Sequence, residues 1–299
     1  MSSASESRPR SGGRPRPGKP LVSGDCLRNV PNGGEFAIAI DAIITPLAEE
    51  EAHRRNIRFT RKSGVPAHVP AATTSAPSTG DARGRELAAL IDHTILAPDA
   101  TAAQVDKICA EAIEHHFASV CVHGSWIPRV AEILHGSGVP PCAVIGFPHG
   151  NATTEAKVHE ARRAAADGAK EVDMVIHIGA LKGGDDDYVK RDVAEVTQAC
   201  HQGGAILKAI LETTMLSNEE IERASRLCQE AGADFIKTST GFGGGGAKVE
   251  HVALMRRTVG PKMDIKASGG IRDRKTAEAM LAAGATRLGC SSSVAIVTG

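Results

Sequence analysis

The chain has 299 residues, 41% of them hydrophobic, and its 35 Lys plus Arg balance 35 Asp plus Glu. That balance leaves no global field to draw in nucleic acid or an acidic partner, and one Trp and one Tyr give little for base stacking. No apolar run nears the roughly 18 residues needed to cross a bilayer, and seven scattered cysteines without a CxxC pair fit reduced thiols in a cytosolic protein.

Residues 1–20 show no apolar periodicity and carry one acid against five bases. Such a segment buries too little surface to offset the entropy of ordering, so disorder is expected. Its Arg and Ser content also fits a transit peptide, although a solvated tail is the simpler reading. Residues 34–63 have some helical character, at 36–40 and 47–55, interrupted by Pro46. Residues 64–83, with Pro66, Pro70 and Pro77, read as a linker. The expected organisation is therefore a largely disordered low-complexity extension and linker over 1–83 and one domain over 84–299.

From there, strand-like apolar runs recur at 90–94, 118–122, 142–147, 172–177, 206–211, 235–240, 265–268 and 287–290. Helical segments separate most of them, at 101–116, 126–134, 153–167, 188–202, 218–231, 248–258 and 274–283. Ser217 before Asn218-Glu219-Glu220 reads as an N-cap with an acidic first turn, and the Ala-Gly pairs at 231–232 and 283–284 read as helix stops. Eight strands alternating with helices predict an α/β fold, a parallel (β/α)8 TIM barrel. A doubly wound open sheet is the alternative, weakened because no GxGxxG follows the first strand and opens a helix.

Barrel active sites lie at the C-terminal ends of the strands, and the polar residues fall there or inside. Asp92 and Thr94 end the first strand; Cys121 is on the second, Asp173 on the fourth, Lys208 on the fifth, Lys237 on the sixth and Lys266 on the seventh. Lysine is seldom buried without a partner, and strand alternation lets Lys237 and Lys266 project into one interior. Two ammonium groups about 4 Å apart at an effective dielectric near 20 repel by roughly 4 kcal/mol, about three pKa units on one of them. A lysine so placed approaches neutrality, and its free amine can attack a carbonyl. Schiff-base chemistry is the reading, with the choice among Lys208, Lys237 and Lys266 left open. Asp173 reads as a proton-transfer group or as a counter-ion, and Lys208 as a partner of Asp173 or Glu212.

Small residues end the last three strands: Thr240-Gly241, Ser268-Gly269-Gly270 and Ser291-Ser292-Ser293. In this fold they suit a phosphate held by backbone N–H groups and hydroxyls. The glycine-rich run at 241–246 lacks the Gly-Lys-Ser/Thr of a nucleotide loop and suits a mobile lid better. Cys121 reads as pocket-lining rather than nucleophilic. His123, His149 and His177 stand singly on separate segments, and His115-His116 share no helix face, so no metal triad is expected.

These residues resemble the deoxyribose-phosphate aldolases, a class I aldolase family. The matching stretches are Leu90-Ile91-Asp92-His93-Thr94, Ala118-Ser119-Val120-Cys121-Val122, Val144-Ile145-Gly146-Phe147-Pro148 and Glu171-Val172-Asp173-Met174-Val175-Ile176. They continue at 234–242, 266–272 and 289–292, followed by Val294-Ala295-Ile296-Val297. The resemblance spans 84–299 in order and leaves the extension without a counterpart.

It implies a (β/α)8 barrel and reversible cleavage of 2-deoxy-D-ribose 5-phosphate to D-glyceraldehyde 3-phosphate and acetaldehyde, without cofactor or metal, in cytoplasmic deoxyribonucleotide catabolism. It implies Lys237 as the Schiff-base nucleophile, Lys266 as the charge that keeps it neutral and Asp173 as the carboxylate that moves protons. Asp92, Thr94, Cys121, Lys208 and Thr240 would line the substrate; Gly241, Gly269, Gly270, Ser291 and Ser292 would cradle the phosphate. The implied partners are sugar phosphates and aldehydes, with no nucleic acid or membrane, and a homodimer is the assembly expected. Another class I sugar-phosphate aldolase or transaldolase, or a non-catalytic sugar-phosphate sensor, are the alternatives. This chain departs from the family's usual residues at Ser293, Cys290, His177 and His123-Gly124-Ser125.

Overall fold

The computed structural model describes residues 21–22, 27, 30–40, 42–44, 46–62 and 82–299. The chain divides into two compact units, Met1–Ala72 and Thr73–Gly299. In the first, β1 (Leu21–Val22), β2 (Glu35–Ala39), β3 (Ile43–Ile44), α1 (Pro46–Arg54) and β4 (Arg58–Lys62) follow in order. β1 pairs with β3 and β2 with β4, both in parallel.

Two details of the sequence reading change here. Of residues 36–40, 36–39 carry strand rather than helix, because burial alternates along β2 with the two-residue period of a ribbon. Pro46 opens α1 instead of interrupting it; at that position its missing N–H has no helical partner to lose. Val22, Leu27, Ile38, Ala48, Ala52 and Ile57 are buried together in this unit. Arg55 ties its loop, donating to the carbonyls of Leu27 at 2.9 Å and of Val30. The expected tail at 1–20 and most of the expected linker, 64–81 of 64–83, lie outside the described residues.

The second unit opens with α2 (Ala82–Ala88). Its strands are β5 (Ile91–Thr94), β6 (Ser119–His123), β7 (Pro141–Ile145), β8 (Glu171–Val175), β9 (Ile206–Ile210), β10 (Phe235–Lys237), β11 (Asp264–Ser268) and β12 (Arg287–Cys290). The intervening helices are α3 (Ala102–His115), α4 (Ile127–Leu134), α5 (Thr154–Ala166), α6 (Ile178–Lys182), α7 (Asp186–Gln202), α8 (Asn218–Glu230), α9 (Val249–Val259) and α10 (Arg274–Ala282), with α11 (Ser293–Thr298) last. Each strand pairs in parallel with the next, and β12 closes on β5. The fold is the (β/α)8 barrel; closure excludes the open sheet.

Alternation along each strand sorts residues between two layers. On β8, Val172 and Met174 join the apolar core, while Glu171 and Asp173 take charged partners from other strands. The predicted cap at Ser217 is present as a reciprocal capping box with Glu220, and Thr101 makes the same box with Gln104. The sixth strand ends at Lys237, not at 240. Beyond it the Thr238 N–H still donates to the Lys266 carbonyl at 3.0 Å, but the Thr238 hydroxyl accepts from the Ser268 N–H at 3.0 Å and donates to the Ser268 carbonyl at 3.1 Å in place of the next backbone bond. Lys237 is thereby the last residue of its strand.

Candidate active site

Asp173 is fully buried and gathers three ammonium groups. Lys208 Nζ donates to its Oδ1 at 2.8 Å, while Lys237 and Lys266 both donate to its Oδ2, at 2.8 and 2.7 Å. Register brings them together: Asp173 is level with Lys208 across β8–β9, and Lys237 is level with Lys266 across β10–β11. Asp92 contacts Lys266 and, at 2.6 Å, Arg287, with Lys208 at 3.5 Å. Glu171 accepts from Lys208 at 2.6 Å and from Arg287 at 3.1 Å. Lys208, Lys237, Lys266 and Arg287 thus face Asp92, Glu171 and Asp173 inside the barrel, four cationic side chains against three carboxylates.

Gly289 makes room for this cluster. A Cβ there would stand 3.0 Å from Lys266 Cε and 2.8 Å from Ser268 Cβ, so only glycine lets the Lys266 side chain cross the face of β12.

The electrostatics divide the lysines. Burial disfavours charge on Asp173, yet Lys208, Lys237 and Lys266 outweigh it and hold the carboxyl well below the usual range. Asp92 is lowered likewise, burial being opposed by Lys208, Lys266 and Arg287. Burial also opposes charge on Lys208 and Lys266, but the Asp173 and Asp92 carboxylates hold both ammonium groups above the usual lysine range. Both are 0% exposed, whereas Lys237 keeps 3% and stands at the strand's C-terminal end. Among the described residues its ion pair is with Asp173 alone.

Asp92, Cys121, Asp173, Lys208, Lys237 and Lys266 are therefore brought together as the sequence suggests. Thr94 lies at the end of β5, its hydroxyl donating to the Asp92 carbonyl at 2.8 Å. Lys208 pairs with Asp173 and Glu171, not with Glu212. Glu212, buried in a left-handed conformation with φ of 56°, instead accepts the Thr240 N–H at 3.1 Å and the Thr240 hydroxyl. Thr240 is thus turned toward Glu212. Sequence reasoning missed Glu171, Arg287 and Cys142. Each stands two residues from an inward-facing position (Asp173, Gly289 and Val144), so period-two counting would have found them.

Gly241, Gly269 and Gly270 all have positive φ, at 87°, 89° and 77°. A Cβ at Gly246 would lie 2.2 Å from the Gly269 carbonyl oxygen, so the glycine-rich run packs back onto the loop after β11. The Ala247 N–H fastens it there, donating to Gly269 O at 3.0 Å. Phe242, 53% exposed, meets Phe147 edge-on at 5.5 Å, and Phe147 meets His123 at 5.8 Å. Ser291 is exposed and Ser292 half-buried, immediately after β12. A separate cavity of about 360 Å³, bounded by His123, Ser125, Phe147 and Glu160, touches none of the interior charges.

The departures from the family's usual residues have local partners. Ser293 Oγ lies 2.9 Å from His93 Nδ1 and donates to the Cys290 carbonyl at 3.0 Å. His177 caps α6, its Nδ1 accepting the Ala180 N–H at 3.0 Å, and His123 Nε2 lies 3.1 Å from Leu96 O. Two groups of potential metal ligands occur among the described residues, Cys121 with Cys142 and Asp173, and Asp92 with Cys142 and Glu171. Neither includes a histidine, and their carboxylates are engaged by Lys208, Lys237, Lys266 and Arg287. A dication would have to displace ammonium groups already in place.

Residues 87–297 match the DeoC/LacD family aldolase profile. A deoxyribose-phosphate aldolase of Brevibacillus brevis is 58% identical over 209 residues, 70% of this chain and 94% of that protein. The solved structure of the aldolase QR15 is 38% identical, with a TM-score of 0.68 over 71% of this chain and 94% of that one. A tetrameric deoxyribose phosphate aldolase from Aeropyrum pernix is 32% identical, with a TM-score of 0.68 over 72% of this chain and 90% of that one. A profile running from α2 to α11, and this level of identity across nearly whole relatives, carry one conclusion: the chain belongs to the DeoC/LacD family of aldolases.

Proposed function

We propose that this chain is a class I aldolase that reversibly cleaves 2-deoxy-D-ribose 5-phosphate to D-glyceraldehyde 3-phosphate and acetaldehyde, through a Schiff base on Lys237, in deoxyribonucleotide catabolism. The observation that carries this reading is the single Asp173 oxygen shared by Lys237, at the end of its strand, and Lys266 beside it. With Lys237 neutral, Lys208, Lys266 and Arg287 balance Asp92, Glu171 and Asp173, three charges against three. The amine attacks the substrate aldehyde, and the carbinolamine loses water to give a protonated imine. The new positive charge sits 2.8 Å or so from Asp173, which stabilises it.

The imine then accepts the electrons of the C2–C3 bond as the C3 hydroxyl gives up its proton. Glyceraldehyde 3-phosphate departs and an enamine remains. Protonation at C2 and hydrolysis release acetaldehyde and the free amine. Asp173, in hydrogen-bond contact with Lys237, is placed to relay these protons. Because the iminium is the electron sink, the reaction requires no metal.

Lys208, enclosed by Asp173 and Glu171, serves the charge network rather than touching substrate. Asp92 holds Lys266, and Thr94, Cys121 and Thr240 border the substrate space. Backbone N–H groups around Gly241, Gly269 and Gly270, with Ser291 and Ser292, hold the phosphate. No helix of the described residues is long and apolar enough to cross a membrane, and we place the enzyme in the cytoplasm. We propose a homodimer, which light scattering separates from a tetramer such as that of the Aeropyrum relative. The deciding assay is acetaldehyde release from 2-deoxyribose 5-phosphate by purified protein; turnover of other sugar phosphates alone would overturn the substrate assignment.

A further inference from the structure

Cys121 and Cys142 are direct register partners across the β6–β7 ladder. Both are fully buried and both are free thiols. Their sulfurs and one Asp173 oxygen lie within 4.8 Å of one another. Cys142 Sγ donates to Asp173 Oδ1 at 3.2 Å and lies 3.3 Å from Lys208 Nζ. Adjacent strands run about 4.8 Å apart, inside the roughly 4.4–6.8 Å of Cα separation that a disulfide spans. The sulfurs, within 4.8 Å of one another, have to close to about 2.05 Å to be joined.

We propose that Cys121 and Cys142 form an oxidisable thiol pair whose disulfide switches the site off; the loss of activity rests on the aldolase reading above, while the disulfide itself does not. Burial pushes Cys109, Cys200, Cys228 and Cys290 up to about 12 and, with the Cys121 hydrogen bond and Asp173, raises Cys142 well above the usual thiol range, so none of these is the first thiol an oxidant attacks. Cys121 differs. Hydrogen bonding with Cys142 and the Lys266 ammonium group lower its thiol against the opposing effects of burial and Asp173. A thiol lowered by nearby cations is the one an oxidant finds first.

The oxidant is hydrogen peroxide, small enough to follow the path an aldehyde takes to Lys237. The Cys121 sulfur attacks one peroxide oxygen and the O–O bond breaks. A sulfenic acid forms, and the departing hydroxide takes up the thiol proton as water. The Cys142 sulfur then displaces the sulfenic oxygen, which leaves as a second water, and the S–S bond closes. Two thiols and one peroxide yield one disulfide and two waters; the sulfurs lose two electrons and the peroxide gains them. The Cys142 sulfhydryl no longer donates to Asp173, and a disulfide now stands beside the carboxylate that Lys237 and Lys266 share.

The test uses the full chain, treated with excess peroxide, alkylated, and mapped by fragmentation mass spectrometry with activity read in parallel. The expected result is a Cys121–Cys142 linked peptide two hydrogens lighter than the two thiols, activity reduced about tenfold or more, and recovery with dithiothreitol. In Cys142→Ala the resolving thiol is gone, so Cys121 should proceed to sulfinic acid, and the fraction of activity lost should not return with reductant. Alkylation of both thiols after peroxide, or a bridge to Cys26 instead, overturns the pair. A linked peptide in protein whose activity is unchanged overturns the switch. Absence of activity in the reduced protein would count against the aldolase reading alone, since the bridge is read by mass.

Discussion

Lys237 and Lys266, level with each other on adjacent parallel strands, share one oxygen of Asp173 at 2.8 and 2.7 Å. Lys266 is enclosed and held charged by Asp173 and Asp92 against burial, while Lys237 stands at the strand's open end. Borohydride added together with acetaldehyde should therefore leave an ethyl group on Lys237. Peptide mapping checks this; modification found on Lys208 or Lys266 would reverse the assignment.

Lys266→Met should lower kcat by about a hundredfold or more, on the scale of a lost proton-transfer arrangement. Gly289→Ala tests the same point without removing a charge, because the added methyl would press on Lys266 Cε, 3.0 Å away. Its kcat should fall about tenfold in a folded protein. Normal turnover in both variants would show that the position of Lys266 is unimportant.

Stability should be flat near neutrality and fall in acid. Asp92 and Asp173 are lowered in the fold, and Glu111 is brought from 4.5 to about 2 by His93 and Lys107 against burial. A carboxylate lowered by folding adds stability above its unfolded value, and that stability is lost as pH falls through its folded value. Lys208 and Lys266 are raised, so their contribution is present below about 10.4 and disappears only in stronger alkali. Denaturant titrations from pH 7 down should lose stability between 4.5 and 2, the two values for Glu111. Glu111→Gln should make that decline shallower; an unchanged slope contradicts its role.

Ser292→Asp should act on the phosphate rather than on the chemistry. It sets a carboxylate into the proposed cradle, which also draws on the N–H groups around Gly241, Gly269 and Gly270, the glycines with φ of 87°, 89° and 77°. Losing a charge-assisted hydrogen bond costs about 1.5–3 kcal/mol, roughly tenfold to a hundredfold in kcat/KM. Unphosphorylated 2-deoxyribose should suffer far less, having no dianion to repel. An unchanged ratio between the two substrates would place the phosphate elsewhere.

Removal of residues 1–80 should leave a folded and active enzyme. The barrel unit begins at Thr73, its first described helix at Ala82, and the Brevibacillus relative matches this chain over 94% of its own length with 70% of ours. Thermal unfolding and kcat of the truncated chain are the measurements. Loss of either would give the first unit a part in the barrel's stability or turnover.

The order of strands and helices from 90 to 290 was legible because a barrel strand buries both faces and reads as an apolar run, while capped helices carry their own end signals. The boundaries agree to within a few residues apart from the sixth strand, where the Thr238 hydroxyl takes the place of the next backbone bond. Residues 36–40 misled because a short apolar run fits either a strand or a helix. Short elements such as α6 and α11 passed unnoticed, each too brief to repeat a period. Within the glycine-rich run at 241–246, expected as a lid, the contact of Gly246 with Gly269 is visible only from spatial neighbours.

By itself the sequence determined the barrel and the residue types at its strand ends, because periodicity and chain order are local properties. It also placed Asp92, Asp173, Lys208, Lys237 and Lys266 on strands that had to share one interior. Which charges meet was decided only by tertiary structure, because strand register and barrel closure set distances between residues far apart in the chain. Closure brings Arg287 to Asp92 and Glu171, and register sets Cys142 against Cys121 and Lys237 against Lys266. The pairing of Glu212 with Thr240 rather than Lys208 has the same origin. Electrostatic energy falls with separation, so the roles of these groups follow from distances of a few ångströms that no spacing along the chain encodes.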